Sequence, residues 1–134
     1  MRILFTLLSA SFVICSAVFA QTPTGKVGDV KNVTPEEVAK LIKENPKTLV
    51  LDVRTPEEFA AGHIAGATNV DIRDNDFAQK IAKIAQDQPV VVHCGSGTRS
   101  AKALPTIVQQ KFPVIYHMNG GFTAWKAAGK PVEK

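Results

Sequence analysis

The stretch PVVVHCGSGTRS, Pro89–Ser100, carries the central reading of this sequence. Three β-branched valines follow a proline as a continuous apolar run, the pattern of a strand covered on both faces rather than one with a wet side. The run ends at His93 and Cys94, glycine and hydroxyl residues take over, and a helix is predicted from about Thr98. A strand buried on both faces belongs to a parallel sheet flanked by helices, so the segments around it should alternate between the two element types.

They do. Upstream, NVTPEEVAKLIKEN places Glu37 three residues after Thr34, a capping box, with Pro35 at the first helical position. Val33 can staple onto Val38, and Val38, Leu41 and Ile42 share one face. TLVLDVR reads as a buried strand, Leu49–Val53, and runs into a second TPEE start at Thr55 for a short helix that carries Phe59 and ends near Gly62. The repeated tetrapeptide is capping chemistry, not an internal repeat. GHIAGATNVDI supplies a turn and a strand at about Ala67–Val70, and DNDFAQKIAKIAQ sets Phe77, Ile81 and Ile84 on one helical face. Beyond the cysteine loop, PVIYHM is the last predicted strand. GGFTAWKAAG is a short helix that Gly129 can end, with Phe122 and Trp125 as core anchors beneath Gly120 and Gly121. Pro105 is expected to kink or break the helix after the loop, because it removes a hydrogen bond and clashes with the preceding turn. The fold class is therefore α/β: one domain with a central, mainly parallel sheet and helices on both faces.

The first twenty residues, MRILFTLLSASFVICSAVFA, have an early Arg2, an uncharged apolar run and small residues at Ala17 and Ala20. This is the pattern of a signal peptide over residues 1–20, cut after Ala20. An uncleaved membrane anchor is the alternative, and Thr6, Ser9, Ser11 and Ser16 dilute the run it would need. A lipid-modified Cys15 fits poorly after Phe12, Val13 and Ile14. Cleavage leaves a flexible mature N-terminus, residues 21–32, and one small domain, residues 33–132. The expected location is periplasmic or secreted, with no membrane association after cleavage.

The net charge of +4 is mild, and the lysines are scattered without a basic run or an aromatic ladder, so nothing supports nucleic-acid binding. Of two cysteines, Cys15 leaves with the signal and Cys94 stays alone, unable to form an internal disulfide. An unpaired thiol in an exported protein points either to deep burial or to use.

The surroundings of Cys94 point to use. In a parallel α/β sheet ligands bind beyond the carboxyl ends of the strands, which is where Cys94 falls. Gly95, Ser96, Gly97 and Thr98 can curl so that successive N–H groups point inward and form an anion-binding nest. The positive end of the following helix adds to this, favouring thiolate over thiol. Arg99 can fork onto a negatively charged substrate or onto a neighbouring carboxylate that shapes the loop, and both roles stay open.

This loop, together with LDVRTPEEFAAGHIAGATNV and MNGGFTAWKAAGKPVE, resembles a single-domain rhodanese from about Val33 to Val132, similar to the exported phage-shock rhodaneses. The resemblance implies a sulfurtransferase without metal or organic cofactor. Cys94 would be the nucleophile, attacking a sulfane-sulfur donor anion such as thiosulfate. Gly95, Ser96, Gly97, Thr98 and Arg99 would hold the resulting persulfide, and cyanide or a thiol, including a protein thiol, would accept the sulfur. In small rhodaneses arginine often follows the cysteine, whereas this chain has Gly95. CGSG resembles the opening of mercaptopyruvate-type loops, and Arg99 and Ser100 resemble the ending of thiosulfate-type loops, which leaves the donor open between them.

Two other readings compete. Phosphatase or arsenate reductase chemistry uses a related His-Cys loop, but with five residues between cysteine and arginine where this chain has only Gly95 to Thr98. A sulfur- or protein-binding module without turnover is the second, and retention of Cys94 in a glycine-rich nest argues against it. A dithiol oxidoreductase would need a second mature cysteine. Arg54 is a secondary site candidate at the end of another strand, and Asp52 is read as structural. His93 should face away from the sulfur because adjacent strand residues alternate sides, and His63 is expected to fix its turn. His63, His93 and His117 have no ligand-like spacing, so no metal site is expected. The charges of DIRDND, Asp71 to Asp76, read as a solvated loop and helix start.

Overall fold

Both TPEE segments start helices as their side chains dictate. The Thr34 hydroxyl accepts the Glu37 N–H at 3.3 Å while the Glu37 carboxylate accepts the Thr34 N–H at 2.7 Å. Thr55 and Glu58 repeat the exchange at 3.1 and 3.0 Å. The computed structural model describes residues 28–84 and 86–134. The expected signal peptide and residues 21–27 lie outside them.

The chain runs β1 (Val30–Asn32), α1 (Pro35–Glu44), β2 (Leu49–Asp52), α2 (Pro56–Ala61), β3 (His63–Ile64) and β4 (Thr68–Asn69). It continues through α3 (Phe77–Ala82), β5 (Val90–His93), α4 (Thr98–Val108), β6 (Ile115–His117), α5 (Gly121–Ala127) and β7 (Val132–Glu133). Five strands form one sheet in the order β1-β6-β5-β2-β4, and every pairing in it is parallel. β5 is central, paired with β2 on one side and β6 on the other, which explains why Val90, Val91 and Val92 are all apolar.

The two faces of the sheet carry separate cores. Val90, Val92 and Cys94 point to one side, toward Phe77 and Ile81 of α3 and Ala103 and Ile107 of α4. Val50, Val91 and Met118 point to the other, toward Val38 of α1 and Phe122 and Trp125 of α5. Strand order reverses between β2 and β5: the chain leaves β2 outward to β4, and leaves β5 the other way to β6. The carboxyl ends of β2 and β5 therefore meet at a topological switch point, where a ligand crevice forms in this architecture.

The structure corrects the sequence reading in four places. Residues 30–32, expected to be part of a flexible N-terminus, form β1 on β6, in register with residues 115–117. His63 and Ile64, expected in a turn, form β3 and pair antiparallel with β7, a strand not predicted at all. Two-residue strands have no periodicity to read, so only their partners make them strands. The helix α4 runs unbroken through Pro105. Pro105 and Ala101, whose carbonyl loses its partner, lie on the exposed side where water can serve it, while buried Ala103 and Ile107 hold the helix to the sheet. Asp71, expected in a solvated cluster, is buried and accepts the Arg73 N–H at 2.9 Å.

Candidate active site

Cys94 follows the last residue of β5, and its thiol is buried beneath the loop that leads into α4. The Sγ accepts the Gly97 N–H at 3.0 Å, and the Ser100 hydroxyl lies 3.4 Å away. Burial pushes the Cys94 thiol up, but the Ser100 hydroxyl and the N–H groups of Ser100, Gly97 and Ser96 outweigh it and bring it below the ordinary range for cysteine. Two amides of the predicted nest, those of Ser96 and Gly97, thus act on the sulfur, and the Ser100 amide, beyond the predicted nest, joins them. Gly97 has φ +104°, open to glycine at little cost, and a Cβ there would collide with the Asn119 carbonyl.

The start of the loop is held by α5. Its Phe122 N–H donates to the Cys94 carbonyl at 2.7 Å and its Thr123 N–H to the Gly95 carbonyl at 3.0 Å. With the Gly95 carbonyl tied outward, the Ser96 N–H that follows it acts on the sulfur. Gly121 makes the approach possible: at φ +65°, a Cβ would stand 2.5 Å from the Gly95 oxygen and 2.7 Å from the Cys94 oxygen.

Of the two roles open to Arg99, this structure forms the pairing with a neighbouring carboxylate. Its Nη1 and Nη2 donate to the two Glu58 oxygens at 2.7 and 2.9 Å, a bidentate fork between α4 and α2. This bond is the main reason the Glu58 carboxyl is lowered to about 2. Glu58 was legible only as a capping residue, and it serves both purposes at once. A Cβ on Gly95 would stand 3.1 Å from the Arg99 Nη2, so a larger side chain at that position would press on the fork.

Arg54 is buried and committed. Its Nε donates to both Asp52 oxygens at 3.0 Å, its Nη2 donates to Asp52 at 2.7 Å and to the Gly62 carbonyl at 2.8 Å, and its guanidinium lies 4.1 Å above the Phe122 ring. It ties β2 to the end of α2 and flanks a cavity of about 240 Å³ with Glu58, Phe122 and Lys126. His93 sits on the side of β5 away from the sulfur; its Nδ1–H donates to the Cys94 carbonyl at 3.1 Å, and burial holds the ring below the ordinary histidine range. His63, the first residue of β3, is tied to the last turn of α2 by donating from Nδ1 to the Phe59 carbonyl at 2.9 Å and stacking on the Phe59 ring at 3.8 Å. Ser96 and Thr98 are exposed on the outer side of the loop.

One contact had no counterpart in the sequence reading. The Ser100 hydroxyl is 2.7 Å from Nε2 of His117, which comes from the end of β6. Period-two alternation places His117 on the same face as Ile115, and its register opposite Val92 brings it beside Cys94. That signal becomes usable only once β5 and β6 are known to be neighbours. Among the described residues, no three histidine, cysteine or acidic side chains come together as a metal site.

The fold is a parallel α/β domain with a buried, hydrogen-bonded cysteine at its switch point, and comparison with known proteins assigns its family. The rhodanese-like domain model matches residues 34–128. The chain is 37% identical over 97 residues to the thiosulfate sulfurtransferase GlpE of Pseudomonas aeruginosa, covering 72% of this chain and 84% of that protein. It is 36% identical over 101 residues to GlpE of Pseudomonas putida, covering 75% and 89%. Among solved structures, a rhodanese-related protein from Thermoplasma volcanium superposes with a TM-score of 0.67 at 29% identity, over 77% of this chain and 97% of that one. This chain belongs to the rhodanese family, as a single-domain transferase of the rhodanese type.

Proposed function

We propose that this protein carries a sulfane sulfur from a donor anion such as thiosulfate to cyanide or a thiol, through a persulfide on Cys94, and that it works in the periplasm or as a secreted protein. The observation that carries the mechanism is the Cys94 sulfur held at 3.0 Å by the Gly97 amide, with the Ser100 hydroxyl at 3.4 Å. Such donors stabilise a sulfur anion before and after transfer without reorganising. In the first step the Cys94 thiolate attacks the outer sulfur of thiosulfate. A new S–S bond forms, the old one breaks, and sulfite leaves with the electron pair. In the second step the acceptor attacks the outer sulfur of the persulfide, and the Cys94 thiolate departs, ready for another cycle. Cyanide becomes thiocyanate, and a thiolate acceptor becomes a persulfide.

The similarity to GlpE supports thiosulfate as donor, and the signal-like pattern of Met1 to Ala20 supports export. Intact-protein mass spectrometry of the reduced protein with thiosulfate tests the route. The mass should rise by about 32 Da, one sulfur atom, return on adding cyanide and stay unchanged in Cys94→Ser. Turnover retained by Cys94→Ser would overturn the covalent route. Fractionation of the host cell, with N-terminal sequencing of the mature protein, tests export; full-length protein in the cytoplasm would refute it.

A further inference from the structure

The Ser100 hydroxyl has one proton and three neighbours: the Gly97 carbonyl at 3.1 Å, the Cys94 sulfur at 3.4 Å and His117 Nε2 at 2.7 Å. The carbonyl only accepts, and so does a thiolate. Were His117 to accept the hydroxyl proton, the oxygen would face both acceptors with lone pairs alone. With Nε2 protonated, His117 donates to the oxygen instead, and the hydroxyl proton is free to turn to the sulfur. We propose that His117 is a positioning residue for this enzyme: by donating from Nε2 to Ser100 it aims the Ser100 hydroxyl at Cys94 and so stabilises the thiolate that attacks the donor.

The inference rests on Cys94 being the reacting group. His117 never touches the substrate and takes no proton from Cys94; the thiol proton leaves to water. Burial disfavours the imidazolium, which keeps His117 in the neutral form the arrangement uses. The tether spans three elements: Cys94 at the end of β5, Ser100 in the first turn of α4 and His117 at the end of β6. The charged group that acts on Cys94 is Arg99, paired with Glu58 on α2 and within the field of the Asp52 and Asp71 carboxylates, while His93 lies against Phe122 on the other side of the sheet. None of these is altered by substitutions at Ser100 or His117.

The test is a pH titration of the Cys94 thiolate by its ultraviolet absorbance, in the wild type, Ser100→Ala, His117→Phe, the double variant and His117→Gln. Circular dichroism confirms that each is folded. Ser100→Ala and His117→Phe should each raise the midpoint by about one pH unit, a tenfold loss of thiolate at neutral pH. The double variant should go no further than the larger single effect. His117→Gln, whose amide N–H can reach the same oxygen, should restore most of the thiolate. If the phenylalanine variant does not fold, His117→Asn, too short to reach Ser100, takes its place and should raise the midpoint likewise. An unchanged midpoint on replacing His117, additive shifts in the double variant, or no recovery with glutamine would each overturn the inference. The titration needs no turnover. A wild type that titrates as described yet gains no sulfur from either thiosulfate or mercaptopyruvate would therefore sink the persulfide route and leave the role of His117 standing.

Discussion

Arg99 and Glu58 show how one side chain can serve two structures. Glu58 closes the capping box of α2 and receives both guanidinium nitrogens of Arg99, so the first turn of α4 is anchored to the start of α2. Because the Glu58 carboxyl is lowered from 4.5 to about 2, the fork contributes stability above its unfolded value near 4.5 and loses it as pH falls through about 2. Both side chains are partly exposed, at 32% and 40%, which limits the contribution to at most about 1 kcal/mol. Glu58→Gln should be less stable than the wild type by up to about that amount at neutral pH, with the gap closing between pH 4.5 and 2. Denaturant unfolding at a series of pH values measures it, and a gap independent of pH would show that the carboxylate charge plays no part.

At the scale of elements, the site is a junction between the cysteine loop and the start of α5. Two α5 amides hold two loop carbonyls, and Gly121 is the residue whose missing Cβ lets them meet. Gly129 is a useful contrast, with φ +69° close to the +65° of Gly121 but nothing within 4 Å of a Cβ. Gly129→Ala should cost only the backbone strain, roughly 1–2 kcal/mol. Gly121→Ala adds a collision with two carbonyls and should cost more than about 2 kcal/mol while raising the Cys94 titration midpoint. Urea unfolding of the two variants tests this, and equal losses would mean that the loop and α5 can separate without penalty. The same scale explains why Pro105 does not break α4. An exposed Pro105 gives up one hydrogen bond on the wet side of α4, and the buried residues on its other side keep the helix in place.

At the scale of the molecule, the C-terminus acts as a strap over the core formed with α1 and α5. The indole N–H of Trp125 donates to the Pro131 carbonyl at 2.8 Å, and β7 pairs with β3, whose Ile64 is buried in the same core. This strap lies beyond the family match, which ends at residue 128. Deleting residues 131–134 leaves a buried donor without its partner and should cost about 1–3 kcal/mol. For a domain of this size that lowers the melting temperature by roughly 5–15 °C. An unchanged melting curve would show that Trp125 finds another acceptor.

What the sequence determined by itself was whatever depends on near neighbours or on a period. The two capping boxes join residues three apart, the valine run announces a doubly covered strand, and the glycine loop after Cys94 marks the passage from that strand into a helix. Those features were enough for the α/β class and the family resemblance. Tertiary structure alone decided which distant groups share a site: Arg99 meets Glu58 across 41 positions, and Ser100 meets His117 across 17. It also decided that residues 30–32 and 132–133 are strands, because each needs a partner remote in sequence. The physical reason is that capping and periodicity are set by the geometry of a single element, whereas strand order and helix docking are set by how the whole chain buries its apolar faces. The partners of a side chain at the end of an element follow from that packing.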